Sequence, residues 1–183
     1  LLDDNNAMLK GYNNGELDFI ENLPVDEIPT YLASGELEIG DYLGTYYVCF
    51  NTEDEVFSDP NIRKAFSLVI DRNYIVENVS QAGEVPADGY VPNGVNDAAG
   101  AGSDDFRTVG GSYYSISDED YEANCEEARQ LLADAGYPNG EGFPTVEYLY
   151  NTADNHKKIG EALQNMWQTE LGVTVNLNNQ DWN

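Results

Sequence analysis

A strand–helix–strand pattern near the end of the chain constrains its fold more than any other feature. Thr145 to Tyr150 predicts a strand, about Ala153 to Glu170 a helix, and Val173 to Leu177 a second strand. The helix carries one apolar stripe, which predicts core packing: Ile159, Ala162, Leu163, Met166 and Trp167. Two strands joined through a helix are normally parallel. The sequence therefore predicts an α/β fold, a mixed sheet flanked by helices, with these two strands in its parallel part.

The start of this helix holds the only histidine of the chain. His156 is followed by Lys157 and Lys158, which are two of the eight basic residues in a protein of net charge -26. If Thr152 lies near the N-cap, His156 falls in or just past the first helical turn, where the helix already favours anions. A carboxylate is then the natural ligand. The alternative is a surface histidine whose only partner is water.

Capping residues and apolar spacing predict the other elements of the chain. Helices are expected at Asn5 to Asn13, Pro24 to Ile28, behind Asp59, behind Asp71, and from Ser117 or Asp118 to Ala135; strands are expected at Leu17 to Ile20, Glu36 to Ile39 and Thr45 to Phe50. Residues 81–111 are crowded with glycine, proline, aspartate and asparagine, which predicts a long irregular loop. Beyond the stripe above, the core candidates are Tyr121, Leu131 and Leu132.

Composition restricts the possible partners of the protein. With 34 acidic residues against eight basic ones, a nucleic-acid ligand or an anionic membrane surface is a poor match, because both require lysine and arginine. No apolar run approaches the roughly 20 residues of a membrane-spanning helix. The chain opens at Leu1-Leu2, which we expect to lie inside a strand. We therefore expect an excised domain whose targeting signal lies elsewhere.

Motifs for catalysis or for metals are missing from the sequence. It has no phosphate-binding loop, no dinucleotide turn and no nucleophile elbow, and its acidic runs lack the spacing of a calcium loop. We therefore expect no catalytic residue, no metal and no cofactor. For Cys49 and Cys125, two buried free thiols are favoured, and a disulfide between them is the alternative that geometry must decide.

A series of segments spread over the whole chain resembles the oligopeptide-binding proteins of ABC importers, extracellular solute-binding family 5. The segments are Asn14-Gly15-Glu16-Leu17-Asp18, Tyr42-Leu43-Gly44-Thr45-Tyr46-Tyr47, Arg63-Lys64-Ala65-Phe66-Ser67 with Ile70-Asp71-Arg72, Pro86-Ala87-Asp88-Gly89-Tyr90-Val91-Pro92, Glu127 to Pro138, and Tyr150-Asn151-Thr152 with His156-Lys157-Lys158. The last of them resembles the oligopeptide branch of this superfamily more than the dipeptide, nickel or sugar branches.

The resemblance implies that residues 1–183 form part of the second lobe of a bilobal, periplasmic-binding-protein-like clamp. Such a protein is no enzyme: it captures oligopeptides outside the bacterial cytoplasm, as a surface lipoprotein or in the periplasm, and delivers them to the transmembrane subunits of an ABC permease. The site residues implied here are His156 and Asn151, near the C-terminal end of the ligand, and Tyr47, which lines the pocket. The aspartate that pairs with the ligand amine in the family would lie beyond Asn183.

Three positions depart from the family pattern and leave the preferred peptide length open. Ser80 stands where some relatives have a lysine, Cys49 where they have a glutamate, and Gly44 where some have a disulfide cysteine. The same fold could also bind an oligosaccharide or a metal chelate, since tyrosine-rich walls suit sugars as well. A hydrolase would need paired acids from residues 81–111 to converge on a cleft, and the sequence shows no convincing pair.

Overall fold

A computed structural model describes residues 4–182 of the protein, so the strand expected at Leu1-Leu2 lies outside the described residues. The α-helices are α1 (Asn5–Asn13), α2 (Ile28–Ser34), α3 (Pro60–Leu68), α4 (Arg72–Tyr74), α5 (Phe106–Gly110), α6 (Tyr121–Asp134) and α7 (Asp154–Leu171). A π-helix, Ile75–Ser80, continues α4, and short 3-10 turns occupy Val25–Glu27, Asp118–Asp120 and Pro138–Gly140. The strands are β1 (Val146–Asn151) and β2 (Val175–Gln180).

Strands β1 and β2 form a two-stranded parallel sheet, as the strand–helix–strand pattern predicts. Val146 lies opposite Val175, and the register continues to Asn151 opposite Gln180. Helix α7 connects the strands and buries most of the predicted stripe against the core, namely Ile159, Leu163, Met166 and Trp167, while Ala162 is half-buried. Gly172 ends α7 in the left-handed region, at φ 70°. Strand β2 therefore starts at Val175, two residues later than predicted.

The predicted strands Leu17 to Ile20 and Glu36 to Ile39 are wrong. The backbone amides at the start of each segment donate to carbonyls at the end of the preceding helix and not to a neighbouring strand. After α1, the amides of Glu16 and Leu17 both donate to the carbonyl of Gly11. After α2, the amides of Glu36 and Leu37 both donate to the carbonyl of Tyr31. Such bonds satisfy the free carbonyls at a helix C-terminus. Leu17 thus folds back onto α1, where its side chain lies against Gly11, while Phe19 stays exposed.

The predicted strand Thr45 to Phe50 is also wrong, for a different reason. Its β-branched and aromatic residues suit a strand, yet within residues 4–182 no neighbouring strand accepts its backbone hydrogen bonds. Side chains hold the segment in place instead. The ring of Phe50 lies 5.1 Å from Phe57 and 6.3 Å from Phe66, measured between centroids. Within residues 4–182 the sheet is consequently parallel only, and antiparallel pairing is limited to an isolated bridge between Asn96 and Asp105.

The core lies between α7 and the helices α3 and α6. Ala65 and Phe66 of α3 are buried, and so are three residues of α6: Cys125, Ala128 and Leu132. Trp167 joins the two layers, because its ring packs 5.6 Å from Phe66 and its indole N–H donates to the Phe66 carbonyl at 2.8 Å. Burial of Leu132 confirms its prediction, while Tyr121 and Leu131 are only partly buried against this core.

Arg107 fixes the position of part of the segment 81–111. The sequence predicts an irregular loop there, and the structure shows that the segment also contains helix α5. Arg107, with 11% of its side chain exposed, pairs with Asp88 at 2.7 Å and also donates to the carbonyl of Gly111. Ser112 donates to the other carboxylate oxygen of Asp88. A Cβ atom on Gly89 would collide with the guanidinium of Arg107, so glycine is required for this close approach. The hydrogen bond from Ser112 and the pairing with Arg107 hold the pKa of Asp88 below its usual range.

Replacing Asp88 with asparagine should remove part of the pH dependence of folding. The folded-state pKa of Asp88 is depressed, so its stabilising effect is present above the unfolded-state pKa of about 3.9 and is lost as the pH falls through the folded-state value. Urea denaturation of Asp88→Asn should therefore show a shallower loss of stability below about pH 4 than the wild type.

The exposed Asp18, whose side chain makes no hydrogen bond within residues 4–182, provides the matched control. Asp18→Asn removes the same charge and should keep the wild-type pH profile. Indistinguishable acid profiles for wild type and Asp88→Asn would contradict the stabilising role of the Asp88–Arg107 pair.

Both cysteines are free thiols, which removes the disulfide alternative. Cys125 is buried as expected, and burial raises the pKa of its thiol to about 11. Cys49 is exposed, contrary to the expectation of two buried thiols. Among residues 4–182 no helix is long and apolar enough to cross a bilayer, and no three metal-ligating side chains converge.

Candidate ligand-binding surface

The carboxyl end of β1 and the first turn of α7 bring Asn151 and His156 to one edge of the sheet. Asn151 is the last residue of β1, and His156 is the third residue of α7. The N-cap of α7 is Ala153, without a side-chain cap bond, so Thr152 lies directly before the N-cap and His156 falls in the first turn, as expected from the sequence. The Thr152 hydroxyl lies 2.8 Å from Asp181 Oδ1 and 3.0 Å from Asn179 Oδ1.

A tyrosine that the sequence reasoning did not single out contacts His156. The hydroxyl of Tyr46 lies 2.9 Å from Nδ1 of His156, and the two ring centroids are 5.5 Å apart. Tyr46 is 53% exposed, yet partial desolvation of its hydroxyl and the neighbouring Tyr148 raise its pKa, so the phenol keeps its proton at neutral pH. His156 thus has a protein partner, which contradicts the alternative of a surface histidine bonded only to water.

Packing against α7 holds Tyr148 beside Tyr46. A Cβ atom on Gly160 would lie 3.2 Å from the Tyr148 ring, so the missing side chain allows the ring to approach the helix closely. The same ring lies 5.8 Å from Trp167 in the core and 6.3 Å from Tyr150 in β1. Tyr148, which neighbours the histidine partner Tyr46, is therefore held in place by the core around Trp167.

Tyr47 contacts a different neighbour from Tyr46. Its ring meets the ring of Tyr90 edge to face, with 5.2 Å between the centroids. Both residues are more than half exposed, at 56% and 60%. Of the three predicted site residues, β1 and α7 thus bring His156 and Asn151 to one edge, whereas the aromatic partner of Tyr47 is Tyr90. The adjacent tyrosine pair in the sequence was the signal that could have drawn attention to Tyr46.

The two lysines next to His156 are engaged by carboxylates. Lys158 pairs with Asp26 at 2.5 Å, and Lys157 lies 3.8 Å from Glu161 one turn along α7. Local positive charge is therefore smaller than the sequence suggested. The donors left for an anionic group are the imidazole of His156 and the first backbone amides of α7, which point out of the helix end.

These side chains line an open surface. Two cavities of the described residues are lined by other segments, namely 70–73 with 115–124, and Asp88 with 112–117. The surface offers phenol, imidazole and amide groups, which can hydrogen-bond a ligand and stack on it. An open surface of this kind, at the carboxyl end of parallel strands, is typical of ligand-binding α/β proteins in which another part of the protein closes the site.

Comparison with known proteins shows the family to which this chain belongs. The model of the family described as "Bacterial extracellular solute-binding proteins, family 5 Middle" matches residues 1–183. The chain belongs to this family, and its fold is the α/β fold of periplasmic-binding-protein-like solute-binding proteins.

Several relatives are named for peptides. The chain is 34% identical over 187 residues to the oligopeptide-binding protein OppA of Bacillus subtilis, which covers 100% of this chain and 32% of the relative. It is 36% identical over 179 residues to the periplasmic murein peptide-binding protein MppA of Escherichia coli, covering 96% of this chain and 31% of the relative. The crystal structure of Haemophilus influenzae OppA in complex with the peptide RPPGFSPFR superposes with a TM-score of 0.79 at 30% identity, covering 97% of this chain and 34% of that one. The chain therefore spans about a third of the length of the relatives it matches.

Proposed function

We propose that this chain is the ligand-facing part of one lobe of a solute-binding protein that captures oligopeptides and delivers them to the membrane subunits of an ABC importer. The observation that carries the proposal is the open surface around His156 in a chain of family 5, several of whose relatives are named as peptide-binding proteins. The protein acts outside the cytoplasm, in the periplasm or as a surface lipoprotein, and it is no enzyme.

The chemistry of the surface suits an extended peptide. His156 and the first amides of α7 are hydrogen-bond donors for a C-terminal carboxylate, and the amide of Asn151 can serve a main-chain group of the peptide. Tyr47 and Tyr90 present exposed rings, against which side chains of differing size can pack. Specific contacts to the peptide ends combined with permissive contacts to its side chains would give binding that tolerates many sequences.

Replacing His156 with alanine in the full-length protein should weaken peptides of one length class. A peptide whose carboxylate reaches the imidazole should lose about 1–3 kcal/mol of binding free energy, the usual scale for a hydrogen bond to a charged group. Peptides that are too short or too long to place their carboxylate there should bind as before. Calorimetric titration of wild type and variant with peptides of two to six residues measures the loss for the affected length and the unchanged affinity for the others.

The control is Asn165→Ala, an exposed position further along α7 that should leave every affinity unchanged. Equal losses for all peptide lengths in His156→Ala would contradict the assigned contact. If the wild type is stabilised thermally by oligosaccharides or metal chelates and by no peptide, the proposed substrate class is wrong, since a bound ligand raises the apparent stability of the folded state.

A further inference from the structure

The two nitrogens of the His156 imidazole have different surroundings. Nδ1 lies 2.9 Å from the hydroxyl of Tyr46. Nε2 makes no hydrogen bond to any residue of the described range 4–182, and the side chain is half-buried. The described residues thus bind Nδ1 and leave Nε2 without a protein partner.

Acid–base strength decides which group donates in the Tyr46–His156 hydrogen bond. A neutral imidazole has one N–H and one bare nitrogen, so either Tyr46 donates to Nδ1 or Nδ1–H donates to Tyr46. A phenol, with an ordinary pKa of about 10, is a far stronger acid than a neutral imidazole N–H, and the imidazole nitrogen is a stronger base than a phenol oxygen. The favoured arrangement therefore has the Tyr46 hydroxyl donating to Nδ1.

The position of the proton determines what His156 can offer a ligand. With Nδ1 accepting from Tyr46, the proton of the neutral imidazole resides on Nε2, which becomes a donor. In the opposite arrangement Nε2 would present a lone pair, and a lone pair repels a carboxylate.

We propose that Tyr46 is a positioning residue for His156: its hydroxyl holds the imidazole in the Nε2–H tautomer and directs this donor at an anionic acceptor of the ligand. The inference rests on the proposed function only for the identity of that acceptor, the C-terminal carboxylate of a bound peptide. The second partner of a histidine commonly sets its tautomer in this way.

The test uses the full-length protein with its histidines labelled with nitrogen-15. Long-range proton–nitrogen spectra distinguish the two tautomers, and the signals of His156 are those that disappear in His156→Gln. In the peptide-free wild type we expect the Nε2–H tautomer, and in Tyr46→Phe a mixture of both. Tyr46→Phe should also bind the peptides that depend on His156 about three- to tenfold more weakly, the usual effect of one neutral hydrogen bond.

A double-variant cycle separates positioning from general damage to the fold. In the His156→Gln background, Tyr46→Phe should cause no further loss of affinity, because the residues act as a unit. Tyr42→Phe is the control, since Tyr42 lies in the same segment, is 91% exposed and makes no side-chain hydrogen bond within the described residues. It should change neither tautomer nor affinity.

The outcomes distinguish this inference from the proposed function. An Nδ1–H tautomer in the wild type, an unchanged tautomer in Tyr46→Phe, or additive losses in the cycle would overturn the role of Tyr46. If the wild type binds no peptide at all, the proposed function fails, while the spectra still decide whether Tyr46 sets the tautomer.

Discussion

Trp167→Ala is expected to lower the free energy of unfolding by about 3–5 kcal/mol, the range for removing a large buried aromatic side chain. Trp167 is 2% exposed and packs between Phe66 and Tyr148. The substitution also leaves the Phe66 carbonyl without its hydrogen bond from the indole. Urea denaturation followed by far-ultraviolet circular dichroism measures the loss without relying on tryptophan fluorescence.

The second tryptophan of the chain is the matched control. Trp182 is 86% exposed, so Trp182→Ala should change stability by less than about 0.5 kcal/mol. Similar effects of the two substitutions would show that Trp167 does not form the centre of the core.

Gly140→Ala should destabilise the protein by about 3 kcal/mol or more, through two separate causes. Gly140 has φ 74°, a conformation that costs a residue with a side chain about 1–2 kcal/mol. In addition, a Cβ atom there would lie 2.5 Å from the carbonyl carbon and oxygen of Gly172 and 2.7 Å from the carbonyl oxygen of Leu171. These are backbone atoms at the end of α7 and cannot move aside as a flexible side chain can.

Gly142, two residues away, serves as the control that separates the steric clash from the conformational cost of a positive φ. Gly142 has φ 77°, and a Cβ atom added there would meet nothing within 4 Å. Gly142→Ala should therefore cost only the conformational part, about 1–2 kcal/mol. Chemical denaturation of both variants gives the difference, and equal losses would mean that the contact between the 138–140 turn and the end of α7 is looser than described.

The sequence predicts the β1–α7–β2 unit well because its determinants are local. The apolar spacing of Ile159, Leu163 and Met166 and the glycine at position 172 define a helix without reference to the rest of the chain. The segments at 17–20 and 36–39 fail for the complementary reason. Their apolar residues resemble short strands, yet the carbonyls of Gly11 and Tyr31 compete for their amides, and this competition depends on where the preceding helix ends.

For the site, the sequence could indicate candidate ligand-binding residues but could not show which side chains are in contact with each other. His156 and Asn151 share an edge because the same βαβ unit carries both. The partner of His156 comes from 110 positions earlier in the chain, from a segment that forms no strand with the described residues. Nothing in local spacing favours Tyr46 over Tyr47 for that contact. Likewise, the ion pair between Lys158 and Asp26 spans 132 positions, so the sequence overestimated the positive charge beside His156.

The segment 45–50 has a mechanical consequence. One end of it is anchored, since Phe50 packs on Phe57 and Phe66, while a few residues earlier Tyr46 contacts His156 and Tyr47 contacts Tyr90. Consecutive Cα atoms are only about 3.8 Å apart, so a shift of the backbone at Tyr46 also shifts Tyr47. A ligand that moves this backbone at the His156 contact would therefore also change the contact between Tyr47 and Tyr90, while the packing of Phe50 on Phe57 and Phe66 holds the end of the segment in place.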